Sequence, residues 1–534
     1  MKSPTRLTWQ FVFNLNFLVG RYNFPILTLP FFLLLLKHLN FTVWLVVERK
    51  EIIDKSTSWI VGKRKENGQR AKMKQAELIF VPVPGIGHLV STIEFAKRLI
   101  DRDDRLLITI LSMKFPFTPA TDAYTRSLTA SQPRIQLIDL PQVDPPQSEL
   151  LKLRGYHISA YIESNIPIVK DTVTKIVSSN SNSDSTRVVG LVLDFFCLPM
   201  IDVGRELSLP SYLYLTCNAG FLGFMLYLPI RHNQIGTEFS ELDPDLLIPG
   251  FVNPVPPGVL PSAVLDKDNG YTAYLEIAQR FRDTKGIIVN TFRELEPNAL
   301  DSFSNGQRQT PPIYAVGPVL DLKGQPNPGL DGAQRDNIMK WLDDQPPLSV
   351  VFLCFGSMGS FGAGQVKEIA LGLEGSGHRF LWSLRTPTLM PEGFLERIKG
   401  KGMICNGWAP QAEFLAHKAI GGFVSHCGWN SILESLWHGV PIVTLPLYAE
   451  QQLNAFSMVR ELGLAVEMRL DYKIGADLVL GDEIERAVRH VMDGTNEVRK
   501  KMKEMGEMAR KAVKEGGSSF ISIGQLIEDM IGSS

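Results

Sequence analysis

Between Trp408 and Gln451 the chain sets polar side chains of defined type into an otherwise apolar stretch of 44 residues, beginning Trp-Ala-Pro-Gln, carrying Ser-His-Cys-Gly-Trp-Asn-Ser in the middle and ending Glu-Gln. Such a set suits a nucleotide that carries a sugar. Trp408 offers a flat face for a base, and the imidazole of His426 can donate to a phosphate oxygen. Glu434 has the reach to accept both hydroxyls of a ribose. Glu450 and Gln451 pair a carboxylate with an amide, which suits sugar hydroxyls. Taken singly, each residue has an ordinary structural explanation: a core tryptophan, a satisfied histidine, a glutamate beside a helix dipole. Their concentration in one segment makes ligand binding the better explanation.

These side chains need a strand, a turn and a helix to hold them. The apolar run Ala419 to Val424 reads as a buried strand of a parallel sheet, with Ser425-His426-Cys427-Gly428 as the turn at its carboxyl end. Ile432, Leu433, Leu436 and Trp437 recur at helical spacing, so a helix is expected to begin near Asn430 and to stop at Gly439-Val440-Pro441, before a strand over 441–445. The free N–H groups of Trp429 to Ser431 would then make an anion site, with a diphosphate as the expected occupant.

The same alternation begins much earlier in the chain. Glu77 to Pro82 reads as a buried strand, Pro84-Gly85-Ile86-Gly87-His88 as a turn, Ser91 to Ile100 as an amphipathic helix and Leu106 to Leu111 as the next strand. Repetition of this unit predicts an α/β fold built on doubly wound parallel sheets. Gly85-Ile86-Gly87 invites a dinucleotide reading, but Val90 stands where the third glycine belongs. The second strand ends in Ser112-Met113-Lys114, with no acid for a ribose, so nicotinamide chemistry is excluded. Another strand, Val188 to Leu193, runs into Asp194, so His88 and Asp194 are both expected at carboxyl ends of parallel strands. Their plain structural alternatives are a turn histidine and a helix cap.

A Pro/Gly/Asn-rich stretch from Gly324 to Gly332 reads as a linker between an N-terminal domain, 73–323, and a C-terminal domain, 333–534. In the second domain Leu348 to Phe355 is the expected first strand, Gly356 to Ser360 its turn, Gly364 to Gly372 a helix and Phe380 to Leu384 the next strand. Amphipathic helices run from Asp482 to Ile531 with a break at Glu515 to Ser519, and the last is expected to pack back on the N-terminal domain. A chain of 534 residues calls for two domains, and a net charge of −1 provides no field for nucleic acid. Five scattered cysteines, Cys197, Cys217, Cys354, Cys405 and Cys427, read as reduced thiols of a cytoplasmic protein and form no metal spacing. The one Asp-x-Asp, Asp243-Pro244-Asp245, falls in a loop, and no metal is expected.

Residues 1–72 stand apart, with 12 Lys/Arg against 4 Asp/Glu where the remainder has 43 against 52. The runs Ile26 to Leu36 and Phe41 to Val47 are each shorter than the roughly 20 apolar residues of a bilayer span, and Lys37 interrupts them. No small-residue cleavage site follows. We therefore expect Met73 to be the functional start, with no stable membrane partner.

The motifs PGIGHLV, VLDFFCLPM, YAVGPV and FGSMGSF, together with the box at 408–451, resemble those of plant family 1 UDP-dependent glycosyltransferases. The resemblance covers 462 residues. It implies the GT-B fold, in which two facing Rossmann-like α/β domains leave a cleft between them, and an inverting transfer by a monomer without cofactor or metal. It further implies UDP-glucose as donor and a small flavonoid or other phenolic acceptor, since the sequence is similar to the group acting on flavonoids, phenylpropanoids and small hormones. Carried onto this chain, His88 is the general base and Asp194 its partner. Trp408 stacks on uracil, Ala409 and Gln411 hold its edge and the ribose, and Glu434 holds the ribose hydroxyls. His426, Asn430, Ser431 and Ser357 meet the diphosphate, while Trp429, Glu450, Gln451 and, more weakly, Thr216 meet the sugar. The loops 115–124, 151–161 and 218–225 would line the acceptor pocket. Another donor such as UDP-galactose, a hormone or terpenoid acceptor, a non-catalytic binding protein and a membrane-tethered scaffold are the alternatives.

Overall fold

The computed structural model describes residues 75–532 except 115–125, 128, 131, 144–155, 182–184, 267–269, 305–309, 323–331, 474, 476 and 496. The N-terminal 72 residues, the expected linker apart from Gly332, the loop 115–124 and the first part of 151–161 therefore lie outside the described residues.

Two parallel sheets carry the structure. The first contains β1 (Gln75–Val81), β2 (Leu106–Ser112), β3 (Ile135–Asp139), β4 (Thr186–Asp194), β5 (Ser211–Leu215), β6 (Gly286–Val289) and β7 (Ile313–Ala315), in the order β3-β2-β1-β4-β5-β6-β7. The second contains β8 (Val350–Cys354), β9 (Arg379–Leu384), β10 (Gly402–Asn406), β11 (Ile420–Ser425), β12 (Ile442–Thr444) and β13 (Ala465–Val466), in the order β10-β9-β8-β11-β12-β13. Both are doubly wound, so strand order reverses beside β1/β4 in one sheet and β8/β11 in the other. Those are the points where crevices open outside the carboxyl ends.

Near-continuous apolar runs form these strands because both faces are covered. Ile79 and Val81 join one core with Leu191, Leu193, Leu213 and Leu215, while Leu78 and Phe80 face another with Val192, Tyr212 and Tyr214. The second sheet repeats the period of two: Val350, Phe352 and Cys354 face one core, Val351, Leu353 and Phe355 the other.

Three corrections to the sequence reading concern helices. The first helix spans Ile86–Arg102, so His88 sits in its opening turn rather than in the preceding loop. Residues 219–225 are not a loop: Asn218 caps a helix, Ala219–Ile235, by accepting from Phe221 N at 2.7 Å. The helix is apolar all round from Ala219 to Ile230, so Phe221, Phe224 and Met225 lie in the core. Likewise Tyr156–Ser181 is helical, which removes the end of 151–161 from any loop. The C-terminal stretch forms three helices, Gly481–Met492, Glu497–Ala512 and Ser518–Ile531. The last leaves the second sheet and lies on the first, where Ile523, Leu526, Ile527 and Met530 share a core with Phe80 and Tyr314. Ser519 Oγ donates to Gly317 O at 2.5 Å, Arg105 pairs with Glu528 at 2.7 Å, and Tyr314 donates to Asp529. Among the described residues no helix is long and apolar enough to cross a membrane.

Candidate active site

His88 and Asp194 meet across the switch point of the first sheet. Nδ1 of His88 donates to Oδ2 of Asp194 at 2.9 Å, and the carboxylate is only 1% exposed against 30% for the imidazole. Asp194 occupies the N-cap position of the short helix Phe195–Met200, yet its side chain makes no capping bond, so helix capping does not explain it. Thr216 Oγ1 lies 3.2 Å from the same nitrogen, leaving Nε2 as the atom available to a substrate. Burial opposes protonation of His88, but the charge of Asp194, the hydrogen bond to it and the charge of Glu450 outweigh burial and raise the pKa above its ordinary 6.5. The arrangement fixes the tautomer of the ring and suits Nε2 to accept a proton. Phe196, whose ring centroid is 6.4 Å from that of His88, supplies an aromatic wall that sequence reasoning missed. Its position two residues after Asp194 was the available signal.

The second sheet brings the other candidates to its own switch point. The helix Trp429–His438 starts immediately after the β11 turn, with Gly428 as N-cap and no side-chain cap, so its first N–H groups have no partner from that residue. His426 is buried against two glycines: a Cβ at Gly356 or Gly428 would come within 2.5 or 2.6 Å of its Nε2. Gly356 also has φ +71°, so this turn requires glycine for both space and conformation. Burial lowers the His426 pKa to about 4, which makes it a neutral donor. The nearby cation, also missed, is Arg385 at the end of β9, which donates to Gly356 O at 2.6 Å. Ser357 follows in the same turn and is partly buried.

Gln411, Ser431 and Glu434 form one cluster: Gln411 Nε2 donates to Ser431 Oγ at 2.8 Å and to Glu434 Oε2 at 2.8 Å. Burial pushes the Glu434 carboxyl up to about 7, partly offset by the Gln411 bond. Trp408 and Ala409 precede this cluster, the first half-buried and the second buried. Glu450 occupies the N-cap position of the helix Gln451–Phe456 without a side-chain capping bond, and burial raises its pKa while the charge of His88 opposes the rise. Gln451 spends its carbonyl oxygen on Leu447 N and Tyr448 N, at 2.9 and 3.1 Å, so only its amide N–H groups remain for a ligand. Trp429 is committed further: its indole N–H donates to Asn290 O at 2.7 Å and its ring is buried, which leaves its backbone as the ligand-facing part. Asn430 Nδ2 donates to Gly87 O at 3.0 Å, tying the helix Trp429–His438 to the first turn of the helix that carries His88. Asp243 of the Asp-x-Asp accepts from Arg231 at 2.9 Å and is thereby spent on an ion pair. Among the described residues no group of three His, Cys, Asp or Glu could hold a metal.

Residues 338–503 match the family model described as UDP-glucoronosyl and UDP-glucosyl transferase. The chain is 62% identical to UDP-glycosyltransferase 71K1 of Malus domestica over 481 residues, covering 86% of this chain and all of that protein. The chain belongs to the UDP-glycosyltransferase family. It is also 53% identical to the flavonol 3-O-glucosyltransferase UGT71C4 of Arabidopsis thaliana, across 86% of this chain and 98% of that one. Among solved structures, the complex of Medicago truncatula UGT71G1 with UDP-glucose superposes with a TM-score of 0.82 at 57% identity, covering 86% of this chain and 99% of that one. The two doubly wound sheets are the GT-B fold of such UDP-glycosyltransferases.

We propose that Glu434 accepts the ribose hydroxyls of the donor; it should then lose a proton when donor binds, because hydroxyl donors favour its charged form. With a carboxyl near 7, about half a proton should be released per UDP-glucose at pH 7. Affinity should weaken as pH falls below that value. Calorimetry in buffers of different ionisation enthalpy measures the release, and Glu434→Gln should abolish it. Release that survives the substitution would assign it to another group.

Proposed function

We propose that this UDP-glycosyltransferase transfers glucose from UDP-glucose, with inversion, to a hydroxyl of a small planar phenolic acceptor such as a flavonoid. The observation that carries the mechanism is the 2.9 Å bond between His88 and buried Asp194, beside Glu450 and bridged to the donor helix through Asn430 and Gly87. His88 Nε2 takes the acceptor proton as the acceptor oxygen bonds to the anomeric carbon, and the bond from that carbon to the diphosphate breaks on the opposite face. The imidazolium is stabilised by Asp194. Developing charge on UDP is met by the helix amino terminus at Trp429 to Ser431, the neutral donor His426 and the field of Arg385.

Support for glucose comes from the UDP-glucose complex of the Medicago relative and from Gln451 closing the box. Support for a phenolic acceptor comes from the flavonol enzyme among the relatives and from Phe196 beside the base, which suits stacking on a flat ring. Reduced thiols, four of the five buried, suit a cytoplasmic setting. The test is an assay of the purified protein with UDP-glucose, UDP-galactose and UDP-glucuronate against a panel of flavonoids and simpler phenols, with anomeric configuration read by NMR. The expected product is a β-glucoside. A preference of about ten-fold, ~1.4 kcal/mol, for another donor would overturn the donor assignment, and an α-linked product would overturn the displacement.

A further inference from the structure

Asn218 and Asn454 are both fully buried, and they join the two halves of the site by hydrogen bonds. Asn218 Oδ1 accepts from Phe221 N at 2.7 Å, Asn218 Nδ2 donates to Asn454 Oδ1 at 3.1 Å, and Asn454 Nδ2 donates to Cys427 O at 3.0 Å. The three bonds run in series with the same polarity, an arrangement in which each bond strengthens the next. At one end, Asn218 lies two residues after Thr216, whose hydroxyl is 3.2 Å from His88 Nδ1. At the other end, Cys427 sits between His426 and the N-cap Gly428. Cys427 holds a left-handed backbone, φ +60°, unusual for a residue with a side chain. Its N–H is fixed by Ser425 Oγ at 3.1 Å and its carbonyl by Asn454, so side chains hold both of its backbone polar groups in this strained turn.

We infer that Asn218 and Asn454 are positioning residues that set the separation between the base His88 and the diphosphate-binding turn through Cys427. The inference deepens the transfer mechanism proposed above and rests on it. An amide is required at both positions, because each side chain must accept at one atom and donate at the other. Asp at 454 still accepts from Asn218 but turns a carboxylate oxygen on the Cys427 carbonyl. Neither residue has been given a contact with substrate, so loss of the relay should spare nucleotide binding and damage the approach of acceptor to sugar.

Asn454→Asp should lower kcat per UDP-binding site by about 10–100-fold, the scale of an ångström misplacement in a reacting pair, with UDP affinity within about three-fold of wild type. Counting turnover per UDP-binding site removes any unfolded fraction. Asn218→Ser is the second variant: serine keeps a good helix cap but is too short to reach Asn454, so it breaks the relay without uncapping the helix. The same fall in kcat is expected. A kcat per site within about two-fold of wild type in both variants, or UDP affinity falling in parallel with kcat, would overturn the relay. Absence of glucosyl transfer by the wild-type protein would instead overturn the functional proposal.

Discussion

Alanine in place of His88 is expected to lower kcat for glucosyl transfer by about 10²–10⁴-fold, the contribution of one well-placed general base, with UDP binding retained. The separation of effects follows from where the imidazole is held. Its Nδ1 is bound to Asp194 and lies near Thr216, both on the first sheet, while the diphosphate candidates stand on the second. Removing the ring also strips Asp194 of a partner, and among the described residues its buried Oδ1 already has no hydrogen-bond partner. An unpaired buried charge is costly, so activity must be expressed per UDP-binding site. His88→Gln separates basicity from that structural cost, since the amide can still donate to Asp194 but cannot take a proton near neutral pH. Both variants should be similarly inactive. A glutamine variant that retains most of the wild-type kcat would sink the base assignment.

The sheets were legible in the sequence because parallel strands covered on both faces appear as uninterrupted apolar runs: Glu77 to Pro82, Val188 to Leu193 and Ala419 to Val424 all correspond to observed strands. The strand, turn, helix and strand around His426 were legible for the same reason, with Gly439 and Pro441 marking the stop. Helix starts were harder. Pro84, Gly85 and Gly87 read as a turn, yet Gly85 is the N-cap and Gly87 lies inside the first helical turn. Asn218 is a strong cap, but the aromatic and apolar residues after it resemble a pocket lining as much as a buried helix. The relay through Asn454 had no local signal. Asn218 stands 236 residues from Asn454, and Asn454 stands 27 from Cys427, so only the meeting of the two sheets' switch points brings all three together. The charge state of His426 was hidden likewise, since it depends on burial against Gly356, contributed by another strand end.

Asp194→Asn is expected to lower plateau activity by about 10²-fold or more, within the range of a base contribution, and to move the acid limb of kcat/KM to lower pH. The wild-type limb comes first. A protonated His88 cannot accept the acceptor proton, so activity falls as pH drops through a pKa that lies above 6.5. That elevation exists because the charge and hydrogen bond of Asp194, with the charge of Glu450, overcome a burial effect acting the other way. Asparagine removes the two Asp194 contributions and leaves burial, so the pKa falls and the variant keeps a larger fraction of its own plateau at pH 6 than wild type does. The plateau falls for a separate reason. Asn can donate from Nδ2 to His88 Nδ1, which places the ring proton on Nε2 and takes away the basic lone pair; where it accepts instead, the imidazolium formed during transfer lacks its counter-charge. Measuring kcat/KM from about pH 5 to 9 for both proteins distinguishes these effects. An acid limb that stays in place or moves to higher pH would show that His88 does not set it, and that Asp194 supports the site without tuning its base.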